Sequence, residues 1–370
     1  MLRDRLPERL LAACIAALCL VTFVRFDASS PEQPEAAEHP EPPPTAAAPP
    51  EAAEHPEPPP TTAAPPERRD AMPAFYDDGS GAPIVDGLER CAAFRAASSD
   101  ARRPAVAGLF DAGTNLLAKL LRANCVLPRE CAGVAKRGAP AHADASAIEA
   151  EIALFAAFHG TPKGDRLLAG CAPFLAQVPW GKHNPYSHAG RHRAPSYERV
   201  NVSEVLPVVV AKDPLAWVGS VCREPYALRF AGGACAAVGD VAAPWPAGPR
   251  TYASLFELWA AWHGEYLDAA RPRLLVRYED LLWRGEATVA AICACVGGDM
   301  TPAFDAVAAS AKDGGRGHAD KARTSRGDAL RRYGNATLRR AGLSEADLAT
   351  LARLPDARLL RRFAYDRGYR

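Results

Sequence analysis

Two short stretches carry residue types whose spacing suits chemistry on an anion. In Val106–Leu121 (VAGLFDAGTNLLAKLL), Gly108 and Gly113 frame a turn between an apolar run and a segment of helical spacing. A Gly-x-x-x-x-Gly turn that opens a helix offers backbone N–H groups and the helix dipole to a phosphate, with no side chain required. Thr114 stands where an ATP-binding loop would have lysine, and Asp111 lies just before the turn. The point charge that a kinase or ATPase needs on its β/γ-phosphates is therefore missing. Alone, such a turn is more often a packing device than a ligand site. The second stretch, Lys212-Asp213-Pro214 with Ser220 six residues beyond the proline, offers a cationic phosphate pocket. Gly108, Gly113, Thr114 and Asn115 are the candidates for the first pocket, Lys212 and Ser220 for the second.

The elements that must position these residues follow from hydrophobic periodicity. Pro104–Phe110, Leu206–Ala211 (LPVVVA) and Arg273–Tyr278 (RLLVRY) are short apolar runs and predict strands, with another over Phe174–Pro179. Helical spacing predicts helices over LLAKLLRANC (Leu116–Cys125), Ala147–Phe158, the segment opened by Pro214, Tyr252–Ala270 and Glu286–Val296. Strands alternating with helices predict an α/β fold whose parallel sheet is covered on both faces. Ligands in that architecture sit at the carboxyl ends of strands, where both candidate pockets fall.

With these motifs in place, the chain resembles the sulfotransferases that use 3′-phosphoadenosine 5′-phosphosulfate, over about Val106–Val296. In that family a strand-loop-helix with Gly-Thr holds the 5′-phosphosulfate, matched here by Gly113, Thr114 and Asn115. A strand ending in Arg-Asp-Pro, with a downstream serine, holds the 3′-phosphate; Lys212, Asp213, Pro214 and Ser220 match it, with lysine for arginine. VPWGKHNP (Val178–Pro185), VGSVCREPYALRF (Val218–Phe230) and LLVRYEDLLW (Leu274–Trp283) look like segments of membrane-anchored sulfotransferases of algal type. The resemblance implies a three-layer P-loop-like fold around a central parallel sheet.

The sequence departs from the family at Asp111, where many members carry a lysine that bonds the oxygen between phosphate and leaving sulfonate. Lys182-His183, in a Pro/Gly-bounded loop, is the candidate replacement. Sulfonate transfer places charge on the leaving phosphate oxygen and takes a proton from the acceptor hydroxyl, so it wants one cation and one base of near-neutral pKa. Lys182 is expected to serve as the cation and His183 as the base, without a metal. The bland reading of the pair is a surface loop. Gly314–His318 (GGRGH), with Lys312, Lys321 and Arg323 around it, is either a basic loop that closes over the cofactor or a surface turn.

The rest of the chain speaks to placement. Leu10–Val24 is a charge-free apolar run of 15 residues fenced by Arg9 and Arg25. A cleavable signal peptide is the competing reading, but the flank lacks the small residue expected before a cut, so an uncleaved anchor is the expectation, with residues 1–9 as a cytoplasmic tail. Residues 25–70 form a stem: EAAEHPEPPPTAAAPP (Glu35–Pro50) recurs almost unchanged as Glu51–Pro66, and 14 of the 34 prolines fall between Pro31 and Pro66, a composition that favours extended polyproline II over any core. Residues 1–25 carry a net +2 and residues 26–67 nine acidic side chains without Lys or Arg, so the chain total of +1 leaves +8 for residues 68–370. That basic domain suggests an anionic ligand.

Cys14 and Cys19 belong to the apolar run, and eight cysteines remain without a CxxC pair, which fits disulfides in an oxidising lumen better than a metal site. Cys222 and Cys235, 13 positions apart, are expected to bridge. Asn201-Val-Ser and Asn335-Ala-Thr are glycosylation sequons. The combined expectation is a type II Golgi membrane protein with a luminal catalytic domain over residues 71–370, transferring sulfonate to a hydroxyl acceptor of carbohydrate type, with no nucleic-acid partner. Two rivals stand beside it: another P-loop-type nucleotide-using transferase such as a kinase, and a catalytically inactive, stalked glycan-binding protein, which Asp111 favours.

Overall fold

The computed structural model describes residues 71–97, 102–127, 174–194, 197, 200–308, 325–354 and 357–368. The apolar run at 10–24, the stem, the helix expected over Ala147–Phe158, the basic loop around Gly314–His318, Cys131 and Cys171 lie outside these residues. Among the described residues no helix is long and apolar enough to cross a membrane.

In chain order the strands are β1 (Val85–Asp86), β2 (Arg103–Gly108), β3 (Cys125–Val126), β4 (Val205–Ala211), β5 (Arg229–Phe230), β6 (Val238–Ala243), β7 (Arg250–Ser254), β8 (Leu274–Arg277) and β9 (Asp299–Met300). The helices that matter here are α1 (Cys91–Ala97), α2 (Thr114–Asn124), α3 (Pro214–Arg223), α4 (Leu255–Leu267), α5 (Tyr278–Trp283), α6 (Gly285–Cys295), α7 (Arg326–Tyr333), α8 (Ala336–Arg340), α9 (Glu345–Ala352) and α10 (Arg358–Arg362).

The main sheet has the order β1-β8-β4-β2, with β2, β4 and β8 parallel and β1 antiparallel at one edge. Every residue of β2, β4 and β8 is buried, because successive side chains enter different apolar clusters on the two faces. Ala105, Ala107, Val209, Ala211 and Leu275 pack with Trp217, Phe256, Trp259 and Trp262. Val106, Val208, Val210, Leu274 and Val276 pack with Leu117, Leu120, Val289 and Ile292. Burial on both faces is what turns these strands into unbroken apolar runs instead of alternating ones. The α/β expectation therefore holds.

Beyond small shifts at other element ends, three differences from expectation stand out. β2 ends at Gly108, two residues before Phe110, since the chain enters its turn there. Phe174–Pro179 is not a strand: only Leu175 bridges Ala105, with Val178 N donating to Val106 O at 3.0 Å, before Gly181 (φ +95°) turns the chain away. Tyr252 belongs to β7, and the long helix starts at Leu255, where Ser254 Oγ accepts from Glu257 N at 3.0 Å and fixes the N-terminus. The antiparallel sheet β5-β6-β7 was not foreseen.

Among the described residues three disulfides staple the domain. Cys91–Cys295 ties α1 to α6, Cys125–Cys293 ties β3 to α6, and Cys222–Cys235 ties α3 to the loop before β6, as expected from the sequence. The first two close loops of 204 and 168 residues; in the chain-entropy account loops of that size each stabilise by about 5 kcal/mol.

Candidate functional site

The carboxyl ends of β2 and β4 lie side by side, and each carries one of the two expected pockets. Both glycines of the first are required sterically. A Cβ on Gly108 would lie 2.7 Å from Thr114 Cγ2, and one on Gly113, at φ +98°, would enter the Tyr278 ring at 2.2 Å. The first glycine lets the helix start close onto the strand, and the second supplies a left-handed residue that no side chain could occupy here. Gly113 is the N-cap of α2 and brings no capping side chain, whereas α3 is capped by Asp213 and α4 by Ser254. The opening N–H groups of α2 have no intrahelical acceptor and face outward without a side-chain partner from the cap.

The loop is pinned from two directions. Trp217 Nε1 donates to Phe110 O at 2.7 Å, and Gly108 N donates to Lys182 O at 2.8 Å. The second contact brings the whole 178–185 turn onto the glycine loop. Lys182 Nζ donates to Asn115 Oδ1 at 3.2 Å, so its ammonium stands at the first turn of α2. A cation from a different segment therefore stands beside the glycine loop. Asp111 itself adopts φ +57°, a left-handed conformation that aspartate tolerates better than most residues.

His183 Nδ1 is 2.7 Å from Gly108 O. A carbonyl can only accept, so Nδ1 carries the proton and Nε2 is the basic nitrogen of the ring. Burial, and secondarily the adjacent Lys182 charge, lowers the His183 pKa to about 4. The imidazole is therefore neutral at physiological pH, the form a base requires, but its basicity is below the near-neutral value expected from the sequence. The half-buried ring packs on Phe110 at 4.6 Å between centroids, and Phe110 stacks on exposed Tyr226 at 5.6 Å and on Trp245 at 6.2 Å. An aromatic wall thus flanks the histidine.

The second group of candidate residues is a cluster of buried side chains. Lys212 is 2% exposed; its Nζ donates to Ser220 Oγ at 2.9 Å and Tyr333 OH at 2.7 Å, and lies 3.4 Å from Asp111 O. The last contact joins the two pockets. Arg223 Nη2 donates to the same Ser220 Oγ at 3.2 Å. The ammonium also lies 4.1 Å from the Tyr333 ring centroid and 4.8 Å from that of Tyr278. Burial pushes the Tyr333 hydroxyl pKa up, but the Lys212 charge, the hydrogen bonds to Lys212 and Ser220 and the Arg223 charge together outweigh it and leave the pKa lowered.

Asp213 is held away from this chemistry. Its carboxylate caps α3 through Leu215 N at 3.0 Å, accepts from Tyr76 OH at 2.9 Å and pairs with Arg339. Glu279, buried near it and hydrogen-bonded by Tyr365 OH at 2.7 Å, has its pKa raised to about 7, first by burial and then by the Asp213 charge.

The eight residues singled out from sequence therefore converge. Gly108, Gly113, Thr114, Asn115, Lys182 and His183 form one contiguous group, and Lys212 with Ser220 form the other. Sequence reasoning missed Arg223, although its position three residues after Ser220 on α3 was a usable signal. It also missed Tyr333, whose approach from a distant helix left none. Among the described residues no group of three or more His, Cys, Asp or Glu side chains is placed to hold a metal ion. Compared with protein-family models, with curated proteins and with solved structures, the chain matches none.

Proposed function

We propose that the domain is a sulfotransferase that moves sulfonate from 3′-phosphoadenosine 5′-phosphosulfate to a hydroxyl acceptor, on a P-loop-like three-layer fold. The observation that carries the reading is the pairing, at adjacent strand ends, of a helix start without a capping side chain beside Lys182 with a side-chain cluster of Lys212, Ser220 and Arg223. One offers backbone and helix dipole, which suits the 5′-phosphosulfate; the other offers Lys212, Ser220 and Arg223, which suits a 3′-phosphate. ATP has no 3′-phosphate and would leave the second pocket unused.

In this reading Lys182 stabilises charge on the leaving bridging oxygen and His183 Nε2 takes the proton of the acceptor hydroxyl as its oxygen attacks sulfur. The S–O bond to the cofactor breaks, and adenosine 3′,5′-bisphosphate leaves with the electron pair. An anionic cofactor bound near His183 favours the imidazolium and raises its pKa toward the value the step needs. The aromatic wall of Phe110 and Tyr226 beside His183 favours an acceptor with a flat apolar face and many hydroxyls, the signature of a sugar ring. Three disulfides and exposed Asn201 and Asn335 support a luminal domain, and with the apolar run and stem they make up our proposal of a type II Golgi enzyme. Equilibrium titration tests the reading: adenosine 3′,5′-bisphosphate should bind more tightly than both adenosine 5′-phosphate and ATP. Tighter binding of ATP would assign the domain to another nucleotide-using class. Tight bisphosphate binding without turnover of labelled phosphosulfate would favour the inactive glycan-binding reading that Asp111 suggests.

A further inference from the structure

At the opposite end of the sheet, where the parallel strands begin, lies an open cavity of about 730 Å³ lined by Glu89, Arg90, Leu267, Asp268, Arg273 and the arginines of α10. Arg358, Arg361 and Arg362 are spaced i, i+3, i+4 and so form one guanidinium stripe, while Leu359 and Leu360 between them are buried in the core. Like charges at that spacing repel, so a fold that gathers them onto one face carries an energetic penalty unless something negative faces them.

Part of that positive charge has internal work. Arg358 makes a two-pronged pair with Asp268 at 2.8 and 2.9 Å, and Asp86 takes both Arg273, at 3.4 Å, and Arg362. Arg90 Nη1 donates to Ala269 O at 2.8 Å, and Arg273 Nε donates to Tyr266 O at 2.8 Å, so both cap the end of α4. Once these contacts are counted, the five arginines still exceed Asp86, Glu89 and Asp268 by two charges. Among the described residues Arg361 has no ion-pair partner. Arg273 is 3% exposed, yet its Nη1 has no hydrogen-bond acceptor. A buried guanidinium nitrogen without an acceptor is a costly arrangement.

We propose that this cavity is a binding site for an oxyanion carried on a sugar, the sulfate or carboxylate substituent of an anionic glycan. Guanidinium forks match sulfate and carboxylate oxygens in pairs. The cavity exceeds what one inorganic anion fills, which leaves room for the ring that bears it. Leu267 is its one apolar lining residue, and no aromatic side chain lines it to stack a nucleobase. These walls suit a hydroxylated, charged ligand and disfavour a nucleotide or a lipid chain. The site lies at the end of the sheet away from the glycine turn and Lys212, and its existence does not depend on the sulfonate-transfer reading.

The test is titration of the full-length protein with a heparin-derived tetrasaccharide at low and physiological ionic strength. Wild type should bind, more weakly as salt rises. Arg361→Glu, which breaks no contact in the described structure, should lower affinity by about tenfold or more, as expected for a charge-assisted contact reversed in sign. Arg229→Glu on β5 should change it far less, and both variants should melt at the wild-type temperature. Equal losses in the two variants would reduce the interaction to general charge and overturn the site. Inorganic sulfate binding as tightly as the tetrasaccharide, or anionic phosphatidylserine vesicles competing equally with it, would overturn the glycan assignment.

Discussion

The ends of β2 and β4 gather positive character from different materials. At β2 the positive character comes from N–H groups and the dipole of α2, freed because Gly113 brings no capping side chain, with Lys182 added from another segment. At β4 the helix is capped by its own Asp213, and the positive character comes from Lys212 and Arg223 converging on Ser220. A backbone pocket is rigid and weakly charged, fit to follow charge that develops during a reaction. A buried ammonium is a fixed charge, fit for affinity. The β2 end should therefore speak mainly through rates, and the β4 end mainly through binding.

The largest effect is expected at Lys182. Lys182→Ala should lower turnover of the phosphosulfate by about 10²–10³-fold, the usual loss when one preorganised donor to a developing oxyanion is removed, with little change in cofactor affinity. His183→Ala should act likewise. Because the His183 pKa is lowered to about 4 in the free protein and a bound anionic cofactor raises it, kcat/KM should hold from neutral pH down to the approach to about 4, whereas turnover at saturating phosphosulfate should begin to fall at a higher pH as the base is protonated. Wild-type turnover in both variants would break the division between the two ends, since the rate-controlling cation and base would then lie elsewhere.

Next in size is Gly113→Ala. The added Cβ would meet the Tyr278 ring at 2.2 Å in a left-handed backbone, and a loss of about 3 kcal/mol in denaturant unfolding is expected. Gly342→Ala, also left-handed at φ +85° but with nothing within 4 Å, should lose only about 1 kcal/mol. Similar losses in the two would mean that backbone conformation, and not the close approach to Tyr278, makes Gly113 necessary.

The sheet strands were legible because burial on both faces writes them as continuous apolar runs, and the Lys-Asp-Pro start of α3 because proline and a capping aspartate both act locally. The β5-β6-β7 sheet escaped because its strands are short and half-exposed, and Gly232, Gly233, Pro244, Pro246 and Pro249 between them read as loop. Lys182 could be named from its own short motif, but its contact with Asn115 joins residues 67 positions apart. Tyr333, 121 positions from Lys212, carries no periodic or turn signal at all. What local pattern cannot hold is which distant side chain closes a pocket.

Acid stability gives a smaller effect. His263, whose Nδ1 is 2.7 Å from Trp259 O, and His183 both have pKa values lowered to about 4 by burial. Each folded histidine stays neutral where the unfolded one, near 6.5, takes up a proton, so their stabilising contribution is complete above 6.5 and is lost as pH falls through about 4. Glu279 acts in the opposite sense: raised to about 7, its contribution is complete below its ordinary 4.5 and is lost as pH rises through about 7. His263→Gln should flatten the pH slope of unfolding free energy between about 4.5 and 6 by about 1.4 kcal/mol per pH unit relative to wild type. An unchanged slope would mean that this buried histidine does not titrate as its environment requires.

The division of labour itself is tested most directly by calorimetry on wild type and Lys212→Met with adenosine 3′,5′-bisphosphate and adenosine 5′-phosphate. Wild type should prefer the bisphosphate, and Lys212→Met should lose about 10–100-fold in affinity for it while binding the 5′-phosphate nearly as before, since only the former loses a charge-assisted contact. Equal losses for both nucleotides would contradict the account and make Lys212 a support of the fold, not the reader of a second phosphate.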